Sequence, residues 1–135
     1  MDKIEFLKLG KQPIANRFLD QGDISNEFFY DLNVGLDKDT GLVTQMDYVD
    51  APLMFNKEYT YRGSMSKTMV SHFASFSLSV AEILPANAKI LEIGSNDGVF
   101  LKNWNSENAI AVEPCGNFAK ETNELGYKTY NEFWT

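Results

Sequence analysis

The sequence predicts an α/β chain: a small β-rich N-terminal domain, a long helix, and the first half of a doubly wound parallel sheet. Three observations lead there. Apolar and polar residues alternate over parts of the first 56 positions, apolar residues recur at helical spacing from Ser64 to Leu84, and from Lys89 short apolar runs alternate with helix-like stretches. The expected division is a small β-rich domain over 1–56, a linker and amphipathic helix over 57–85, and a partial sheet domain over 86–135.

Each element has its own signal. Ile4, Phe6 and Leu9 form a strand-like stretch that should stop at Gly10, ahead of Pro13. Tyr30, Leu32 and Val34 alternate with Asp31 and Asn33; Leu42, Thr44 and Met46 alternate again after Asp37-Lys38-Asp39-Thr40-Gly41, so the two runs read as a hairpin. That turn opens like a calcium loop but lacks the third acidic ligand and the distant bidentate Glu, which favours a plain turn. Met65, Met69, Phe73, Phe76, Val80 and Ile83 share one helix face and should be core. Ser64 or Ser66 can cap that helix and Pro85 stops it. Lys89 to Ile93 is a buried strand, Val99 to Trp104 a helix, and Ala109 to Val112 a second strand. Phe118, Ala119, Thr122 and Leu125 mark a helix closed by Gly126, and Tyr127 to Tyr130 begin a third strand.

Composition narrows the function. The chain has 135 residues, enough to bury roughly two thirds of its unfolded surface. Twelve scattered basic residues against 19 acidic ones, net charge -7, argue against nucleic acid as a partner. One cysteine, Cys115, and one histidine, His72, leave no disulfide and make a structural metal site improbable. No signal-peptide stretch or membrane-length apolar run is present, which predicts a soluble, cytoplasmic protein with no membrane partner.

The segment that carries chemistry is Gly94-Ser95-Asn96-Asp97-Gly98, between the first strand and the helix expected after it. Two glycines let the main chain bend sharply and approach a ligand, and a helix there would aim free amides into the same crevice. Glu113 follows Gly94 by 19 residues, at the end of the second strand, where a carboxylate can take both hydroxyls of a ribose. Asn96 replaces the middle glycine of the dinucleotide fingerprint and no third glycine follows, so adenosine without phosphates is the better ligand. Asp97 reads either as a cap on the next helix or as a cofactor contact through water. His72 is either satisfied by a neighbour or a ligand contact. Cys115, directly after Pro114, could be a reactive thiol at a helix start, where the dipole favours thiolate, but nothing nearby reads as its base, which disfavours that role.

Leu91-Glu92-Ile93-Gly94-Ser95-Asn96-Asp97-Gly98, then Val112-Glu113-Pro114 and Asn117-Phe118-Ala119, resemble the S-adenosylmethionine site of the C-methyltransferases that act on nucleotide-linked deoxysugars. Leu9 to Asn16, Gly41-Leu42-Val43, and Tyr59 to Ser66 with Thr68, Met69, His72 and Phe73 resemble other segments of the same family, so the likeness covers most of the chain in order. The resemblance implies a Rossmann-like methyltransferase domain behind a zinc-binding N-terminal domain. It also implies S-adenosylmethionine, or its product S-adenosylhomocysteine, held by Glu92, Gly94, Ser95, Asn96, Asp97, Gly98, Glu113 and Pro114. Tyr59, Tyr61 and Ser64 would face a nucleotide-linked sugar, with His72 as a weak candidate base. The departures matter as well. The family's first zinc-ligand pair is absent, and Asp37 and Thr40 occupy positions where a second pair is expected, so no zinc is predicted. The family's catalytic histidine and remaining strands lie downstream of the region matched here, so the chain is expected to be incomplete as a catalyst alone. The first sheet strand would then have an open edge, predicting a homo-oligomer or a partner chain that completes the sheet. The competing expectation is a non-catalytic module that binds S-adenosylmethionine or its product, or serves assembly.

Overall fold

The computed structural model describes residues 2–135 and divides into two compact units, one up to Met54 and the other Phe55–Thr135. It is a mixed α/β structure with one antiparallel and one parallel three-stranded sheet.

In the first unit, β1 (Lys3–Pro13), β2 (Phe29–Asp37) and β3 (Val43–Gln45) form an antiparallel sheet with β2 in the centre. Ile4 stands opposite Leu36, Lys8 opposite Asn33 and Gln12 opposite Tyr30. The strand does not stop at Gly10. That glycine, at φ 70°, lies in an irregularity between Lys8 and Lys11, and pairing resumes beyond it. Ile14 and Val49 are the buried apolar side chains among the described residues of this unit; Phe6, Leu9, Leu42 and Val43 remain exposed. A four-residue helix, α1 (Ala51–Met54), ends the unit.

The second unit begins with an irregular segment leading through a 3-10 turn at Gly63–Met65 into α2 (Lys67–Ile83). Ser66 caps α2, its hydroxyl accepting the Met69 amide, while Ser64 is engaged elsewhere. Three parallel strands follow in the order β4 (Ile90–Ile93), β5 (Ala109–Val112), β6 (Lys128–Tyr130), with α3 (Gly116–Glu124) between the last two. One sheet face, through Ala109 and Ala111, packs on Leu101, with Ile90, Trp104 and Tyr127 around it. Thr122 of α3 donates to Thr129 of β6 across the same face at 2.8 Å. The strand expected to be buried at Lys89 to Ile93 is not: among the described residues β4 pairs with β5 along one edge only, and the face that carries Leu91 and Ile93 is left uncovered.

Two further expectations are corrected. The stretch Val99 to Trp104 is not an α-helix but a turn and one 3-10 turn, Leu101–Asn103. The Asn103 side chain donates to the carbonyls of Val99 and Phe100, competing with helical bonding, and Trp104 leaves in extended geometry. The stripe on α2 is not a closed core either. Phe73 and Phe76 rest on Phe100, at 5.9 and 5.6 Å between ring centroids, but Ile83 is 81% exposed, as is Met65, which lies in the 3-10 turn before the helix rather than on it. The short 3-10 turn beneath α2 is too small to cover a 17-residue face. No helix among the described residues is long and apolar enough to cross a membrane.

Candidate functional site

The site is built where β4 ends. Gly94, Asn96 and Gly98 all take the left-handed conformation, with φ of 72°, 51° and 75°. Asparagine tolerates that region better than other side-chain-bearing residues, so Asn96 serves where a third glycine would otherwise be needed. The Gly94 amide reaches the Val112 carbonyl at 2.8 Å, tying the turn to β5, and the Gly98 amide closes it on the Ser95 carbonyl at 2.9 Å. A Cβ on Gly98 would come 2.9 Å from the Thr122 methyl, so glycine is required there by space as well as by φ.

Glu113 binds this turn to the next loop. It is 3% exposed; one oxygen accepts the Asn96 amide and the other the Cys115 amide, each at 2.7 Å. A carboxylate has about four acceptor positions, so roughly two remain for a ligand. Asn131 fastens the same loop from the other side, donating to the Glu113 and Pro114 carbonyls at 2.9 Å. Burial and the neighbouring Glu113 push the Cys115 thiol up to about 12, which keeps it protonated and inert.

The remaining residues around the turn carry unsatisfied polar atoms. Ser95 and Asp97 are 1% and 2% exposed, yet the Ser95 hydroxyl and Asp97 Oδ1 have no hydrogen-bond partner, nor does Glu92 Oε2 on β4. Buried polar atoms without partners cost about 1–3 kcal/mol each, and three of them fall within six residues here. Burial pushes the Glu92 carboxyl up to about 7 against the Leu101 amide that favours its charge, and the charges of Glu113 and Asp97 push the same way. The turn therefore gathers three carboxyl groups, those of Glu92, Asp97 and Glu113.

Asp97 neither caps a helix nor stands free. Its Oδ2 accepts both the amide and the hydroxyl of Ser64, while Asn96 donates to the Tyr61 carbonyl at 2.9 Å and accepts the Gly63 amide at 3.0 Å. The structure thus brings Tyr61 and Ser64 against the turn through their main chain and hydroxyl. Tyr59 lies over α3, its ring edge-on to Phe118 and its carbonyl taking the Asn117 amide group at 3.0 Å. His72 is not drawn into this network: it is exposed on α2, with its ring parallel to Phe76 at 6.2 Å. Pro114 carries the chain from Glu113 to the start of α3. The sequence reading missed Arg62 and Glu121: the two terminal guanidinium nitrogens donate to the two carboxylate oxygens at 2.7 and 2.5 Å across 59 positions.

Comparison with protein families adds an independent observation: residues 1–55 match a methyltransferase family model described as "putative zinc binding domain". The first unit is similar to a methyltransferase-family domain. That similarity supports a methyltransferase-related protein. A comparison with curated proteins finds no match. Zinc itself does not fit the matched residues. They contain no cysteine and no histidine, and among the described residues no three His, Cys, Asp or Glu side chains are grouped to hold a metal ion. Asp37 instead closes its turn without metal, one carboxylate oxygen accepting the amides of Asp39 and Thr40 at 3.0 Å.

Proposed function

We propose that Phe55–Thr135 is the S-adenosylmethionine-binding part of a Rossmann-like methyltransferase domain, related to the C-methyltransferases of nucleotide-linked sugars. The observation that carries this reading is the set of unpartnered buried acceptors at Glu92, Ser95 and Asp97, beside Glu113 at the end of the adjacent parallel strand. An ammonium group and a sulfonium centre are what such acceptors would take, and S-adenosylmethionine carries both. Pyrophosphate would meet three carboxylates.

In this reading Gly94, with open space where a Cβ would stand, gives the ligand room to approach main chain, and Glu92, Ser95 and Asp97 meet its ammonium group. Glu113 offers its remaining lone pairs to the ribose hydroxyls while holding the amides of Asn96 and Cys115 in place. When bound, S-adenosylmethionine supplies a methyl group on positively charged sulfur. The contribution of this chain is orientation and charge. The exposed Tyr61 ring and the segment 59–64 that bears it are the acceptor side, and the sugar assignment rests on the resemblance of residues 59–66 to the family.

Calorimetric titration of the full chain at pH 8 tests the proposal. S-adenosylmethionine should bind, ATP should not, and Glu113→Gln should weaken binding by about tenfold or more. No binding of S-adenosylmethionine at millimolar concentration would overturn it.

A further inference from the structure

Residues 59–64 have little regular structure, yet they are bonded to the site at nearly every step. Asn117 holds the Tyr59 carbonyl, Asn96 holds the Tyr61 carbonyl and the Gly63 amide, and Asp97 holds Ser64. Gly63 is packed so closely that a Cβ would stand 2.9 Å from the Val99 side chain. Arg62 sits at the centre of this strap and points the other way, to α3. Its guanidinium forms the paired contact with Glu121 and lies 4.9 Å from the centre of the fully buried Phe118 ring.

We propose that Arg62 is a positioning residue for the adenosyl site: by gripping Glu121 and Phe118 it seats the strap 59–64 on the Gly94–Gly98 turn, and the strap in turn fixes Asn96 and Asp97. This rests on the reading of the turn as the S-adenosylmethionine site. The pair is about 40% exposed on both sides, so as an isolated ion pair it adds little stability. Its geometry is what matters. A planar guanidinium that meets a carboxylate with two bonds and stacks on a ring has one orientation, and lysine cannot reproduce it. Orienting Arg62 orients its neighbours, so the amides of Gly63 and Ser64 reach Asn96 Oδ1 and Asp97 Oδ2. Asp97 Oδ1 is buried without a hydrogen-bond partner, 3.8 Å from where a Cβ on Gly63 would stand. Glu121 serves the arrangement, and Arg62 lowers its carboxyl below the usual carboxylate range by direct hydrogen bonding.

The test combines ligand affinity with amide hydrogen exchange on the full chain. Arg62→Ala and Arg62→Lys should each weaken S-adenosylmethionine binding by about tenfold, at temperatures where both variants remain folded. The Gly63 and Ser64 amides should exchange faster in both variants whether or not ligand is present. Exchanging the two charges, Arg62→Glu with Glu121→Arg, should recover part of the affinity. If the wild type binds but Arg62→Ala binds within twofold of it, the positioning role is wrong while the cofactor site stands. If the wild type does not bind, the site reading fails. Unchanged exchange at Gly63 and Ser64 in Arg62→Ala overturns the seating of the strap whatever the ligand does.

Discussion

The turns Asp37–Gly41 and Gly94–Gly98 are both made from a buried aspartate and glycines at positive φ, and their bonding differs. In the first, the Asp37 carboxylate accepts two amides of its own turn, the Gly41 amide returns to the Asp37 carbonyl, and the Asp37 amide meets Leu42. In the second, Ser95 Oγ and Asp97 Oδ1 are buried and unmatched, and the bonds Asp97 does make go to Ser64, 33 positions away. Composition alone cannot separate a turn that satisfies its own polar groups from one that leaves them unmatched; the hydrogen bonds do, and under the proposed function a ligand completes the second.

The largest test of this contrast is Glu113→Ala. It leaves the buried amides of Asn96 and Cys115 without acceptors and should cost about 2–4 kcal/mol in denaturant unfolding of the second unit. Next is Glu92→Gln. The folded carboxyl binds its proton more tightly than the unfolded one, so the stability of the wild type is fullest below about pH 4.5 and declines as pH rises through about 7. The variant should be more stable than the wild type by on the order of 3 kcal/mol at pH 8 and equal to it near pH 4, measured by unfolding across that range. A cation in the pocket favours ionised Glu92, so S-adenosylmethionine affinity should rise with pH through 7 in the wild type and stay flat in the variant. Gly98→Ala should cost about 2 kcal/mol and Gly94→Ala about 1, because both are strained at positive φ but only position 98 lacks room.

The smallest effect sharpens the other side of the comparison. Main-chain amides hold the Asp37 carboxyl below the usual carboxylate range, the Thr40 bond contributing most. Its contribution is therefore present above the unfolded value and lost as pH falls through the lowered one. Asp37→Asn should remove that acid dependence, with a modest loss of melting temperature. A metal chelator should leave the wild-type melting temperature unchanged, since an aspartate and two amides close the turn where the resembling family places metal ligands.

The legible parts of the fold were those with local patterns. The hairpin at residues 30–46 and the parallel strands at 90–93 and 109–112 follow from alternation, apolar runs and the turn residues between them. The failures came from side chains that compete with main chain or act over distance. Asn103 takes two carbonyls and dissolves the helix expected at 99–104. The α2 stripe has the right period, yet period does not say whether anything lies beneath it, and Met65 and Ile83 face solvent. At the site, the glycines and Glu113 stood out by spacing, whereas the bond from Asp97 to Ser64 and the pairing of Arg62 with Glu121 depend on the strap folding back, which no local pattern records.

The central claim is most directly tested by following main-chain amide NMR signals of the full chain during titration with S-adenosylmethionine. The account predicts saturable shifts at Ser95, Asn96, Asp97 and Cys115, with Asp39 and Thr40 unmoved. Shifts absent from the Gly94–Gly98 turn at millimolar ligand, or equal shifts at both turns, would contradict it.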